Sequence, residues 1–166
     1  MPTSMPTHTS TVVPDSLATS IPTVMYEHVG YLLVRLGKRS QRAFETAVAP
    51  LGLRPPHFDL MAVLDQHGPV SQKQAAQLLG VDSARVVALA DELADRGALQ
   101  RANDPADRRR KLLHLTEDGA HLFAQASTEA ARVQADLTSA LSAEQVAVLR
   151  RGLQDLLSSA PAPTAG

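Results

Sequence analysis

The chain has 166 residues, a length that suits one domain with tails, and its 44% apolar and 20% charged residues are ordinary for a protein that buries a core. Zero cysteines exclude disulfides, thiolate metal sites, cysteine nucleophiles and thiol redox sensing, and no apolar run approaches the ~18 residues of a membrane span. A net charge of −1 argues against a uniformly basic nucleic-acid coat while leaving room for a local basic patch.

Residues 1–23 carry Pro2, Pro6, Pro14 and Pro22, abundant Thr and Ser, and Asp15 as their one acidic or basic residue. Such a stretch buries too little apolar surface to offset its ordering entropy and is expected to be a flexible tail, as are residues 160–166. The first Lys or Arg is Arg35 and no apolar run precedes it, which argues against a signal peptide and for a cytoplasmic protein.

The body is dominated by helical periodicity. Met25, Val29, Leu32, Leu36, Ala43 and Ala47 form one stripe that predicts a helix from Met25 to Ala49, flanked by Arg35, Lys38, Arg39 and Arg42. A second helix starts at Pro55-Pro56 and carries Phe58, Met61, Ala62 and Leu64 up to Gly68. Ser71 and Gln74 make a capping box for a third, closed by Gly80, and Asp82 caps a fourth that buries Val86, Leu89, Ala90 and Leu93. Two helices separated by only Gly80 and Val81 must cross steeply, as in a helix-turn-helix. An apolar strand after Gly97, a turn-rich Asn103–Asp107 and a second strand at Leu112–Leu115 make a wing.

Thr116 caps a further helix, with Glu117 and Asp118 in the first turn where the helix dipole favours them. Its stripe is Leu122, Ala126, Ala130, Val133 and Leu137. A last helix is boxed by Ser142 and Gln145 and carries Val146, Leu149, Leu153, Leu156 and Leu157. The two end helices are richer in apolar positions than a small domain can cover, and a second copy of the chain is the economical partner.

The segment LADRGALQRANDPADRRRKLLHLTEDG, Leu93 to Gly119, resembles the wing signature of the MarR (multiple antibiotic resistance regulator) family: Gly97, Leu99, Arg101, Asp104, Pro105, Asp107, Arg108, Arg109, Leu115, Thr116 and Gly119 fall where that signature has them. The resemblance implies a mainly α fold with a small β-wing, a winged helix-turn-helix flanked by N- and C-terminal dimerisation helices. It divides the body, 24–159, into dimerisation helices at 24–49 and 116–159 around a DNA-binding core at 55–115. It also implies a homodimeric transcription regulator, usually a repressor, often released by a small ligand bound between the dimerisation helices and the winged domain.

The residues support the DNA part by themselves. From Arg96 to Lys111 six basic side chains face two acidic ones, a net +4 in an otherwise acidic chain. Arginine on a thin β-turn suits the narrow minor groove of A·T-rich DNA. Candidate DNA contacts are Arg101, Arg108, Arg109 and Arg110, with Asp107 orienting Arg109 as the family resemblance implies. In the family the fourth helix enters the major groove, which nominates Ser83, Ala84, Arg85, Val87 and Ala88. Arg85 is the base reader, since Arg on guanine is the commonest specific contact, and the apolar members suit a thymine methyl. Ser71, Gln72 and Lys73 open the preceding helix, where phosphate contact and a plain surface role both fit.

For a small-molecule effector, an anionic aromatic among the possibilities, the candidates are Tyr31, His57, Phe58, Met61 and His121. Phe58 and Met61 also fit an apolar core. Six histidines leave a zinc-sensing variant open, although no His-x-x-x-His pair occurs and neither cofactor nor resident metal is expected. No nucleophile elbow, P-loop, zincin or dinucleotide motif is present, so enzyme activity is not expected. A protein-interaction module without specific DNA binding is the remaining alternative.

Overall fold

A computed structural model describes residues 23–105 and 110–159, so the tails and the wing tip, with Asp107, Arg108 and Arg109, lie outside the described residues. The chain divides into two units, 1–38 and 39–166. In the first, a 3-10 turn at Thr23–Glu27 precedes helix α1, Val29–Val48, whose later half belongs to the second unit. The stripe that predicts a single helix from Met25 is thus interrupted at His28, whose N–H reaches back three residues to the Met25 carbonyl. Val29, Leu33, Val34 and Leu36 are exposed.

The second unit continues with a 3-10 turn at Ala49–Leu51, α2 (Pro55–His67), β1 (Val70–Ser71), α3 (Gln72–Leu79), α4 (Ser83–Asp95), β2 (Leu99–Asn103), β3 (Lys111–Leu115), α5 (Glu117–Leu137) and α6 (Ala143–Ser159). The strands make one antiparallel sheet in the order β1-β3-β2, with Leu99 opposite Leu115, Asn103 opposite Lys111, and Val70 opposite Leu113. The two-residue strand β1 is absent from the sequence-based expectation, being too short for alternation to show. The fold is therefore mainly helical with a three-stranded wing.

Caps set the helix starts as the sequence predicts. Ser71 Oγ accepts the Gln74 N–H at 3.3 Å while Gln74 Oε1 accepts the Ser71 N–H at 3.0 Å. Asp82 Oδ1 accepts the Arg85 N–H at 2.8 Å, and Gly80 ends α3 at φ 65°, a left-handed conformation that Gly adopts without strain. The core lies below α2 to α4 and the sheet: Leu60, Met61, Leu64, Val86, Leu89, Leu93, Leu99 and Leu113 are buried, joined by Val48 from α1 and Ala126 from α5.

Entry into α5 combines three contacts. Thr116 Oγ1 accepts the Gly119 N–H at 3.0 Å and donates to the Gly97 carbonyl at 2.6 Å. The Thr116 N–H reaches the Ala98 carbonyl at 3.2 Å. Gly119 is buried against that same carbonyl, where a Cβ would overlap the Ala98 oxygen. The Leu-Thr-x-x-Gly exit is thereby a packing requirement: Thr caps and ties, and Gly lets α5 start flush on the turn after α4.

Candidate nucleic-acid interface

The exposed half of α4 presents Ser83, Ala84, Arg85 and Ala88, with Val87 half-buried, while Val86, Leu89, Ala90 and Leu93 turn inward. This is the division predicted from the helical period, and it leaves the N-terminal half of α4 open to a groove. Arg85 has an acidic neighbour on α2. Desolvation pushes the Asp59 carboxyl up from its ordinary value and the Arg85 charge draws it back down. Pro56, Asp59, Leu79, Val81, Arg85 and Leu89 line a small recess there.

Ser71 is occupied in its capping box, Gln72 is half-buried and Lys73 is exposed. The wing strands bring basic groups alongside α4. Arg101 Nη2 lies 2.6 Å from Asp91 Oδ1, so this arginine braces β2 against α4. Near the tip, Asp104 N–H donates to the Arg110 carbonyl at 3.0 Å, the Arg110 guanidinium lies 3.8 Å from the Asp104 carboxylate, and Lys111 Nζ donates to Asn103 Oδ1 at 2.6 Å. Arg110 and Lys111 remain exposed. The structure thus brings α4, the start of α3 and the basic wing strands into one unit.

The candidate effector residues are scattered. His57 is 1% exposed: Nδ1 accepts the Arg54 N–H at 3.1 Å, which leaves the proton on Nε2 to be donated to Glu92 Oε2 at 2.9 Å. Burial lowers its pKa, opposed by the hydrogen bond to Glu92 and assisted by the Arg54 charge. Met61 is fully buried. Phe58 packs edge-on against Phe44 at 5.0 Å and against Phe123 at 5.2 Å between centroids. His121 is exposed on α5, and Tyr31 belongs to the other unit.

A cleft of about 620 Å³ opens elsewhere, between the second half of α1 and α5. It has an apolar floor of Ala43, Ala47, Leu51 and Val133 and a rim that includes Arg39, Arg42 and Arg132; none of the five candidates lines it. Arg132 is paired with Glu129 at 2.8 Å and with Asp136 at 3.6 Å, whereas neither Arg39 nor Arg42 forms an ion pair among the described residues. Among the described residues no three His, Asp or Glu side chains converge as a metal-ligand set, and no helix is long and apolar enough to cross a membrane.

Sequence reasoning missed Arg54, Asp91 and Glu92 and counted Arg96 only within the basic run of the wing; all four fasten α4 to its neighbours. Their one legible signal is the acidic and basic pattern along α4, and their partners lie 10 to 44 residues away.

Comparison with known proteins agrees with this architecture. A model of the MarR family matches residues 51–110. The chain is 33% identical over 125 residues to the HTH-type transcriptional repressor NicR of Pseudomonas putida, covering 74% of this chain and 78% of the relative. It is similar in structure to the transcriptional repressor CouR bound to a 23-mer DNA duplex, with TM-score 0.75, 30% identity and coverage of 84% of this chain and 99% of the other. CouR from Rhodococcus jostii RHA1 bound to p-coumaroyl-CoA superposes with TM-score 0.72 at 28% identity over the same shares of the two chains.

Proposed function

Because the chain belongs to the MarR family of transcription regulators, we propose that it works as a homodimeric repressor that reads a pseudo-palindromic operator and releases it when a small anionic effector binds. It is a DNA-binding regulator and not an enzyme. The observation that carries the finer reading is the open N-terminal half of α4 set beside a basic wing and braced to it through Arg101 and Asp91. In this reading Arg85 takes a base edge, Ala84, Val87 and Ala88 offer apolar contact, and Ser83 adds a polar contact at the start of the helix. Ser71, Gln72, Lys73 and Arg110 hold backbone phosphates, and Arg108 and Arg109, with Asp107, serve the wing tip.

Dimerisation draws support from the exposed apolar residues of both end helices, among them Val29, Leu36, Leu149, Leu156 and Leu157. An anionic effector draws support from the apolar cleft with two arginines at its rim that form no ion pair among the described residues, and from the acyl-CoA bound by CouR. Selection of DNA from a random duplex pool, followed by footprinting, tests the reading. The expected result is a symmetric footprint with half-site centres about 10 bp apart. A single asymmetric half-site, or no enrichment over non-specific duplex, would overturn it. Titration of the complex with p-coumaroyl-CoA and with free aromatic carboxylates then tests release.

A further inference from the structure

Two polar tethers connect one short stretch of chain to the reading helix. Arg54 Nη2 donates to Glu92 Oε2 at 2.5 Å, and His57 Nε2 donates to the same oxygen at 2.9 Å. At the C-cap of α4, Arg96 donates through Nη1 to the Gly52 carbonyl. Glu92 and Arg96 are four residues apart at the C-terminal end of α4, on the stripe that Arg85 opens about two turns earlier, and so lie well beyond the open N-terminal half. At the other end, Gly52 and Arg54 directly follow Pro50 and Leu51, which line the α1–α5 cleft. The Gly52 backbone is left-handed at φ 69°, and the Arg96 guanidinium occupies the space a Cβ would take, so the turn and the tether fit only together.

We propose that Arg54, His57, Glu92 and Arg96 are positioning residues that transmit displacement of the 49–52 turn at the cleft to the orientation of α4. The inference rests on the DNA-reading assignment above and adds its regulation. Glu92 and Arg96 sit about two and three turns C-terminal to Arg85 and are taken up by partners at Gly52, Arg54 and His57, so their effect on DNA passes through helix placement. An occupant that wedges α1 from α5 moves Pro50 and Leu51. The carbonyl of Gly52 and the side chains of Arg54 and His57 move with them and pull on Glu92 and Arg96. Packed elements shift as units because their interiors are close-packed, so a small movement at the turn becomes a tilt of α4.

A double-mutant cycle tests this without knowledge of the effector. Ala43→Trp and, separately, Thr46→Trp place a wedge in the cleft of the full-length protein; Glu92→Ala with Arg96→Ala cuts the tethers. Affinity for the selected operator is measured in all combinations, with thermal melting and sedimentation to confirm folded, equally associated protein. Each wedge should weaken operator binding by about fivefold or more in the tethered protein. In the cut background the same wedge should change affinity by less than about twofold. Non-specific binding at low salt should not follow the pattern, since a merely structural defect would lower both. If both wedges leave tethered protein unaffected, or act equally in both backgrounds, the coupling is overturned. Failure of the wild-type chain to select any duplex would instead overturn the DNA-reading assignment.

Discussion

Arg85 and Asp59 show how the setting of one side chain bears on a role assigned from sequence. The guanidinium is exposed on the open half of α4, yet its charge is felt by a carboxylate on α2. Both line the same small recess, so in the proposed reading Arg85 meets DNA with an acidic group close behind it. Arg85→Ala is expected to cost about 1–3 kcal/mol of discrimination at one position in each half-site while leaving non-specific affinity nearly intact; competition gel shifts with single-base operator variants measure it. Arg109→Ala is expected to cost operator binding a similar amount, about 1–3 kcal/mol, and Arg108→Ala to weaken all sequences alike. His57 carries the pH dependence. Burial holds its folded-state pKa below the ordinary value near 6.5. Its stabilising contribution is therefore complete above about pH 6.5 and is lost as pH falls from there through the lower folded value, because the unfolded chain takes up the proton first. Glu92, whose carboxylate is held low by Arg54 and His57, adds acid sensitivity only at lower pH. Melting of wild type at pH 7.5 and 5.5 should show a drop that is smaller in His57→Gln, which keeps an acceptor for the Arg54 N–H.

Among the elements, the junction of β3 and α5 is the most constrained. Thr116→Val removes both the cap on Gly119 and the bond to Gly97, and should cost about 1–2 kcal/mol of stability by chemical denaturation. Gly119→Ala forces a methyl onto the Ala98 carbonyl and should cost about 1–3 kcal/mol or more through overpacking. A Gly119→Ala chain as stable as wild type would mean that α5 does not sit flush on this turn. Caps and glycines of this kind were legible in the sequence because donor and acceptor lie within four residues. The strand β1 was not legible, since its partner Leu113 is 43 residues away and two residues carry no period.

For the whole molecule, the question is what covers α6. It has no buried residue, and Leu149, Leu156 and Leu157 are exposed along it. Each such side chain gains on the order of 1.5–3 kcal/mol on burial. A chain ending at Ala140 should therefore lose self-association and, with it, tight operator binding, because one half-site alone is weak. Sedimentation decides the point: a truncated protein that is soluble and dimeric would refute the assembly.

Helix boundaries within a few residues, the helix-turn-helix spacing, the wing strands and the open face of α4 were all readable from local patterns in the chain. All of these follow from interactions between residues close in the chain, or from a period that one face of a helix must obey. Folding, and not local pattern, settled that His57 bridges to Glu92 and that Arg101 is spent on Asp91. It also decided that Phe58 sits between Phe44 and Phe123, and that the arginine-rimmed cleft between α1 and α5 is lined by none of the five nominated effector residues. The physical reason is one of range. A histidine that ends a loop looks the same in sequence whether its second nitrogen meets solvent, a ligand or a carboxylate 35 residues on, and only packing of α2 against α4 chooses among them.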